Sequence, residues 1–312
     1  MADLLHLVDK PEDWTSHDVV ARMRGILGER RVGHAGTLDP FASGLLVLGE
    51  GRTTALLSCI GLLPKRYVAR ALLGVETDTH DRTGRVTARS DASALPDVET
   101  VRAALARFRG KQDQLPPAFS AVKVNGERLY KAARRGEDPV RTTRPVHVYD
   151  LTLTEAALPE ITLDLTVSRG TYVRALAHDL GRHLGCGAHL IALRRTAIGP
   201  FHVDQALSPA RDTAPSTARF RERAIAPERA LAFLPRVRLT ADEAARLRHG
   251  VAPVVDASRF ESAGHADPLP PGEPGWPVAL LDPEGLLVAL ARHREAQRAG
   301  DPLRLLRVVA PA

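Results

Sequence analysis

The sequence predicts an α+β protein in which a larger mixed unit precedes a smaller β-rich one. Three observations carry this expectation. Lys65–Gly74 and Ile161–Ser168 alternate apolar and polar residues with a period of two, the pattern of half-buried strands. The segments after Thr15, Asp97 and Gly170 instead repeat apolar residues at helical spacing. Beyond about residue 233 the chain reads as short strands with one short helix and one long loop. With 312 residues, 44% of them hydrophobic and 26% charged, both units can hold a core.

Taken in order, Leu4–Val8 is a strand, and Asp9 to Ser16 turn the chain. Thr15 or Ser16 caps a helix with Val19, Val20, Met23 and Leu27 on its inner face, stopped by Gly28. Leu45–Leu48 is an apolar strand closed by Gly49-Glu50-Gly51. The Lys65–Gly74 strand places Tyr67, Ala69, Ala71 and Leu73 on one face. Thr77 to Gly84 is a polar loop that lacks the terminal glutamate of a calcium site. Asp97 opens a helix with Val98, Val101, Leu105 and Phe108 inward, ended by Gly110. Asn125-Gly126 marks a tight turn. After Ile161–Ser168, Arg169-Gly170 turns into a helix from Thr171 with Val173, Leu176, Leu180 and Leu184 inward. Tyr172 and Arg174 fall in its first turn, where a cation opposes the helix dipole unless an anion lies nearby. Gln205–Arg229 reads as a connector with one helix. Thr240 to Glu243 form a capping box for a short helix ending at Gly250. Ser262–Pro277, with five prolines and three glycines, is a long loop; Pro277–Leu290 is a hairpin and Leu303–Val309 a last strand.

The net charge of +6 favours a polyanionic partner. From Ser120 to Pro145, seven basic residues against three acidic ones leave +4, so one segment holds most of the excess. That segment is either a solvated face or a phosphate-binding arm, with Phe119 and Tyr130 beside its cations. Two cysteines, Cys59 and Cys186, suit a reducing compartment. The N-terminus does not read as a signal peptide, and the longest apolar run, Ala55–Leu63, is too short to span a bilayer. A cytoplasmic protein with no membrane partner is expected. His178, His183, Cys186 and His189 do not form a zinc set: the first two do not share a helix face, and the cysteine is alone.

One loop stands out for chemistry. Gly33-His34-Ala35-Gly36-Thr37-Leu38-Asp39-Pro40-Phe41-Ala42-Ser43-Gly44 carries three glycines and a proline just before a buried strand. Pro40 biases Asp39 toward an extended backbone. On the residues alone this is either an Asp-Pro turn acid with a capping histidine or a catalytic acid presented by a rigid scaffold.

The twelve residues resemble the catalytic motif of the TruB family of tRNA pseudouridine synthases. Five other segments resemble that family too. Lys10-Pro11 to Thr15-Ser16 is similar to its first motif, although Asp13 stands where the family has glycine. Lys65-Arg66-Tyr67 with Thr77-Asp78-Thr79-His80-Asp81 resembles a second, and Ser168 to Arg174 a third. Gly187-Ala188-His189 through Leu193-Arg194-Arg195 resembles a fourth. Pro116-Pro117 through Tyr130 is similar to the insertion with which the family grips its RNA stem-loop.

The resemblance implies a fold and a chemistry. Residues 1–232 would form a catalytic domain with a mixed, mostly antiparallel sheet flanked by helices. An RNA-gripping insertion would lie at about 114–150, and 233–312 would form a PUA-like domain. The reaction would turn uridine 55 in the T-loop of tRNA into pseudouridine, with no cofactor and no metal. Asp39 would be the nucleophile, acting on the sugar or on the base. Burial alone would neutralise a carboxylate; the guanidinium of Arg174 would oppose that. Tyr67 and Tyr172 would hold the uracil, and one would take the C5 proton. Leu193 would wall the pocket, and His34 would fill the space that the uridine leaves. Lys123, Arg128, Lys131, Arg134 and Arg135 would bind the T-arm. The basic insertion argues for a stand-alone enzyme that needs no guide RNA, and a monomer is expected. Two rivals remain: a non-catalytic tRNA-binding chaperone that needs neither Asp39 nor Arg174, and a glycosidic hydrolase using Asp78 or Asp81 as a second carboxylate.

Overall fold

The computed structural model describes residues 2–120, 123–124, 127–129, 135, 137, 140–210, 215–261, 277–292 and 303–309. The Ser262–Trp276 loop, the Asn125-Gly126 turn, Tyr130, Lys131 and Arg134 lie outside the described residues.

A mixed sheet of nine strands organises the first two-thirds of the chain. Along it run β1 (Leu5–Lys10), β3 (Ser43–Glu50), β12 (Ala188–Ile198), β4 (Lys65–Leu73), β11 (Glu160–Val167), β10 (Arg144–Ala157) and β7 (Gly110–Gln114). β2 (Val32–His34) adds to β3, and β13 (Phe201–His202) to β12. Every pair is antiparallel except β3 with β12, which is parallel at Arg194↔Ser43 and Arg195↔Gly44.

Helix α1 (Ser16–Leu27) forms as its signals require. Thr15 and Asp18 make a reciprocal capping box, and Gly28 ends the helix in the left-handed region at φ 67°. It buries Val19, Val20, Met23 and Leu27 against Val8, Leu46 and Leu48. Helix α2 (Leu57–Ile60) is one turn; α3 (Val98–Leu105) is capped by Asp97 and continues as a 3₁₀ turn to Phe108. Helix α4 (Val173–His183) starts later than the sequence suggests, because Tyr172 is its N-cap, with an extended backbone. Together α3 and α4 cover the sheet face made by Tyr67, Ala69, Ala71, Leu163, Leu165 and Leu193.

Several elements differ from expectation. Gly110 does not simply end a helix but opens β7, and β10 reaches from Arg144 to Ala157. The segment between the sheet strands is therefore narrower than 114–150, since Gln114 pairs with Arg144. Within it, β8 (Lys123–Val124) and β9 (Glu127–Arg128) pair antiparallel. A small hairpin, β5 (Val75–Thr77) with β6 (Val86–Arg89), flanks the polar loop. The connector holds two short helices rather than one, α5 (Thr217–Glu222) and α6 (Pro227–Ala230).

The C-terminal part is β-rich, with a five-stranded sheet in the order β15 (Phe260–Glu261), β14 (Arg236–Arg238), β16 (Pro277–Leu281), β17 (Leu287–Arg292) and β18 (Arg304–Val308). Helix α7 (Ala241–Arg248), with the Thr240–Glu243 box, packs Ala244 and Leu247 onto Val237, Leu280 and Val288. The opposite sheet face, Ala279, Leu281, Leu287 and Leu290, joins Leu5, Leu7, Leu45 and Val47 in one core, so the two units share apolar burial.

Candidate active site

The loop between β2 and β3 is fixed on both sides of Asp39. Before it, the Ser16 hydroxyl accepts from the Leu38 N–H at 2.9 Å and donates to the Leu38 carbonyl at 3.3 Å. After it, the Pro40 carbonyl accepts from the Asp13 N–H at 2.8 Å and from Lys10 Nζ at 3.1 Å. The buried Arg195 donates from Nη2 to the Gly36 carbonyl at 3.0 Å and from Nε to the Leu45 carbonyl at 2.7 Å, tying the two ends of the loop together. Leu38, Phe41 and Ala42 point into the core. Asp13 sits at φ 63°, the left-handed backbone that glycine adopts freely and aspartate tolerates better than most. The turn geometry thus survives the exchange of glycine for Asp13.

Asp39 and Arg174, 135 residues apart in sequence, meet in a two-point pair. Nε donates to Oδ2 at 2.8 Å and Nη2 to Oδ1 at 3.1 Å. The guanidinium also donates from Nη1 to the Thr79 carbonyl at 2.7 Å and from Nη2 to the Phe119 carbonyl at 3.0 Å. Asp81 Oδ2 lies 3.5 Å from Nη1. A guanidinium can be buried only if its fork of donors is satisfied, and here it is. Arg174 is 3% exposed at its side chain, whereas Asp39 keeps 33%. The arginine is the buried half of the pair, and the carboxylate is the partly exposed half. Asp39 is also the anion that offsets the cost of a cation in the first turn of α4.

Tyr67 and Leu193 lie on neighbouring strands in the same core cluster as Leu38 and Phe41. Tyr172 is locked by the Gln114 side chain, which accepts from the Tyr172 N–H at 2.8 Å and donates to its carbonyl at 3.0 Å. Burial pushes the Tyr172 phenol above its ordinary range, and the Asp39 charge adds to that rise. His34 is held below the ordinary imidazole range by burial and by the Arg195 cation, so it stays neutral near pH 7.

The basic segment is only partly in view. Lys123 is paired in register with Arg128 across β8 and β9, and Arg135 is exposed and ion-paired to Glu137 at 2.7 Å. The Phe119 carbonyl on Arg174 joins the root of this segment to the site.

Sequence reasoning missed the supports of the site: Gln114, Lys10, Arg195 and Asp81 in its real contacts. Asp81 Oδ1 accepts from the Thr79 hydroxyl at 2.8 Å and from the Thr83 N–H and hydroxyl at 2.9 and 2.6 Å. With its other oxygen toward Arg174, it is bound into the scaffold. The signal was available in principle: a buried arginine needs more acceptors than one carboxylate offers.

Residues 24–173 match the TruB family pseudouridylate synthase N-terminal domain, and 174–222 match the tRNA pseudouridylate synthase B C-terminal domain. The tRNA pseudouridine synthase B of Thermobifida fusca is 42% identical over 302 residues, 94% of this chain and 96% of the relative. That of Geobacter sulfurreducens is 41% identical, over 97% and 98%. Among solved structures, a Cbf5-Nop10-Gar1 complex contains a chain that superposes with a TM-score of 0.73 at 26% identity, covering 99% of this chain and 85% of that one. The fold is therefore that of the pseudouridine synthases. More narrowly, the chain belongs to the TruB family.

Proposed function

We propose that the protein isomerises uridine 55 in the T-loop of tRNA to pseudouridine, without a cofactor. The observation that carries this reading is the two-point clamp of Arg174 on Asp39, on a loop whose neighbours Leu38 and Phe41 pack with Tyr67 and Leu193. The relatives' shared name supplies the substrate class.

In this reading Asp39 attacks ribose C1′ or uracil C6. The bond from C1′ to N1 breaks, the uracil turns, C1′ bonds to C5, the bond to Asp39 breaks and frees the carboxylate, the C5 proton leaves and N1 gains a proton. Nothing is oxidised or reduced. Tyr67 and Tyr172 hold the base, and one of them takes the C5 proton. Unstacking the uridine costs a few kcal/mol; neutral His34 fills the vacated place. Lys123, Arg128, Lys131, Arg134 and Arg135 contact the phosphates of the T-arm. Residues 1–232 form the catalytic domain and 233–312 a PUA-like domain. The enzyme acts as a stand-alone monomer in the cytoplasm, without guide RNA. Among the described residues no helix is long and apolar enough to cross a membrane.

The test uses T-arm RNA carrying tritium at uridine C5. Wild type is expected to release tritium and Asp39→Asn to release none while still binding the RNA. Equal release by the two would remove Asp39 from the chemistry. Binding without release by wild type would favour the chaperone, and free uracil the hydrolase.

A further inference from the structure

The loop that carries Thr79 and Asp81 has a side-chain link to α4 that the chemistry does not use. His80, between the two residues that hold Arg174, stacks on His178 with ring centroids 3.9 Å apart and planes inclined by 5°. His178 lies four residues after Arg174, on the same face of α4. The loop backbone is pinned elsewhere: the His80 N–H donates to the Thr77 carbonyl at 3.2 Å, and the His80 carbonyl accepts from the Leu190 N–H at 3.1 Å. Yet His80 adopts φ 61°, one of two non-glycine residues with a left-handed backbone among the described residues. Such a conformation persists when its surroundings over-determine it.

We propose that His80 and His178 are a stacked positioning pair that sets the Thr79 and Asp81 acceptors on Arg174, and through it the orientation of Asp39. The proposal rests on the roles given to Asp39 and Arg174 above. Both imidazoles work as flat rings. The Nδ1 atoms of His80 and His178 are buried without a hydrogen-bond partner among the described residues, and Glu76 Oε1 is 4.0 Å from that of His178. Burial pushes His80 down to about 3, with the neighbouring His178 and Arg174 adding to the fall, and burial lowers His178 as well. Two neutral rings can stack beside a guanidinium where two cations would repel.

Single-turnover tritium release and RNA affinity separate this pair from a merely structural one. His80→Asn keeps a residue that accepts the left-handed backbone and removes the ring. His178→Ala removes the other ring from a good helix position. Each is expected to slow release about five- to twentyfold with T-arm affinity within about twofold. The double variant is expected to be no slower than the slower single one, because either change already breaks the stack. His178→Phe, which keeps a ring, is expected to restore most of the rate. Wild-type rates in His80→Asn and His178→Ala, additive losses, or a His178→Phe no faster than His178→Ala would each overturn the pairing. If wild type released tritium and Asp39→Asn did not, those results would leave the reading of Asp39 standing; inactive wild type would end that reading first.

Discussion

Gly44 is the residue at which a single methyl group tests the architecture beneath the site. It sits at φ 104°, where the Asp39 loop enters β3 and crosses against β12. A Cβ built there falls on the Arg195 carbonyl oxygen, and within 2.7 Å of the Arg195 nitrogen and 2.9 Å of its carbonyl carbon. All three are backbone atoms of a central strand, so no side chain can swing away. Restoring an ordinary carbon–oxygen separation of about 3.3 Å needs the strands to part by roughly 1 Å. Overpacking of this kind costs about 1–3 kcal/mol, and a positive φ on alanine adds about 1–2. Gly44→Ala should therefore lose about 2–5 kcal/mol out of a total near 5–15. Gly25 is the matched control. It lies inside α1, and a methyl group added there would have nothing within 4 Å, so alanine should gain about 0.5–1 kcal/mol. Urea unfolding of both variants measures the difference. Single-turnover tritium release measures whether folded Gly44→Ala also misplaces Asp39, where about 1 Å is worth up to about a hundredfold. A loss below about 1 kcal/mol for Gly44→Ala would refute the close-approach argument.

Asp13→Gly should raise stability by a few tenths to about 1 kcal/mol, because it relieves the left-handed aspartate; its exposed contact to Arg82 at 3.6 Å contributes little. A lowered melting temperature would show instead that Asp13 supports the turn. Lys65 is buried, and burial lowers it from 10.5 to about 7. Between pH 7 and 10.5 the unfolded chain binds the proton that the folded one has lost, so stability rises with pH across that window. The stability of wild type relative to Lys65→Met should climb by roughly 1–3 kcal/mol from about pH 7 to 9.5 in urea melts; a flat difference would mean that the lysine stays charged. Burial pushes the Cys59 thiol up to about 11 and raises that of Cys186. Neither should react with a thiol reagent at about pH 7.5 until denaturant is added, and prompt labelling of the native protein would contradict that burial.

Elements with local signals were legible, and those whose reason lies elsewhere were not. Helix α1 has a capping box, an apolar face and a glycine stop, all between Thr15 and Gly28. β4 and β11 alternate cleanly because one face is buried along their length. β10 keeps the pattern only in pieces: Val146/Val148 and Leu151/Leu153 alternate out of phase across the register shift at Val148/Asp150, and its last four residues are exposed. β7, Gly-Lys-Gln-Asp-Gln, is an edge strand with little to bury.

The site divides along the same line. Asp39 and Arg174 were legible as motif residues, and the first-turn position of Arg174 called for an anion. What holds them was invisible because it is made largely of cations on backbone carbonyls. Four lysine and arginine side chains are buried among the described residues: Lys10, Lys65, Arg174 and Arg195. Lys10 donates to Pro11, Trp14 and Pro40, Lys65 to Gly61 and Leu63, Arg174 to Thr79 and Phe119, and Arg195 to Gly36 and Leu45. Every residue carries a carbonyl, so no residue type marks the acceptor, and a lysine or arginine read from sequence defaults to the surface. Only with the loops laid against the sheet do these four side chains each gather backbone carbonyls from a loop or the start of a strand. Three of the four, Lys10, Arg174 and Arg195, hold the loop of Asp39 or its carboxylate, which is why a partly exposed acid on a glycine-rich segment can keep one geometry.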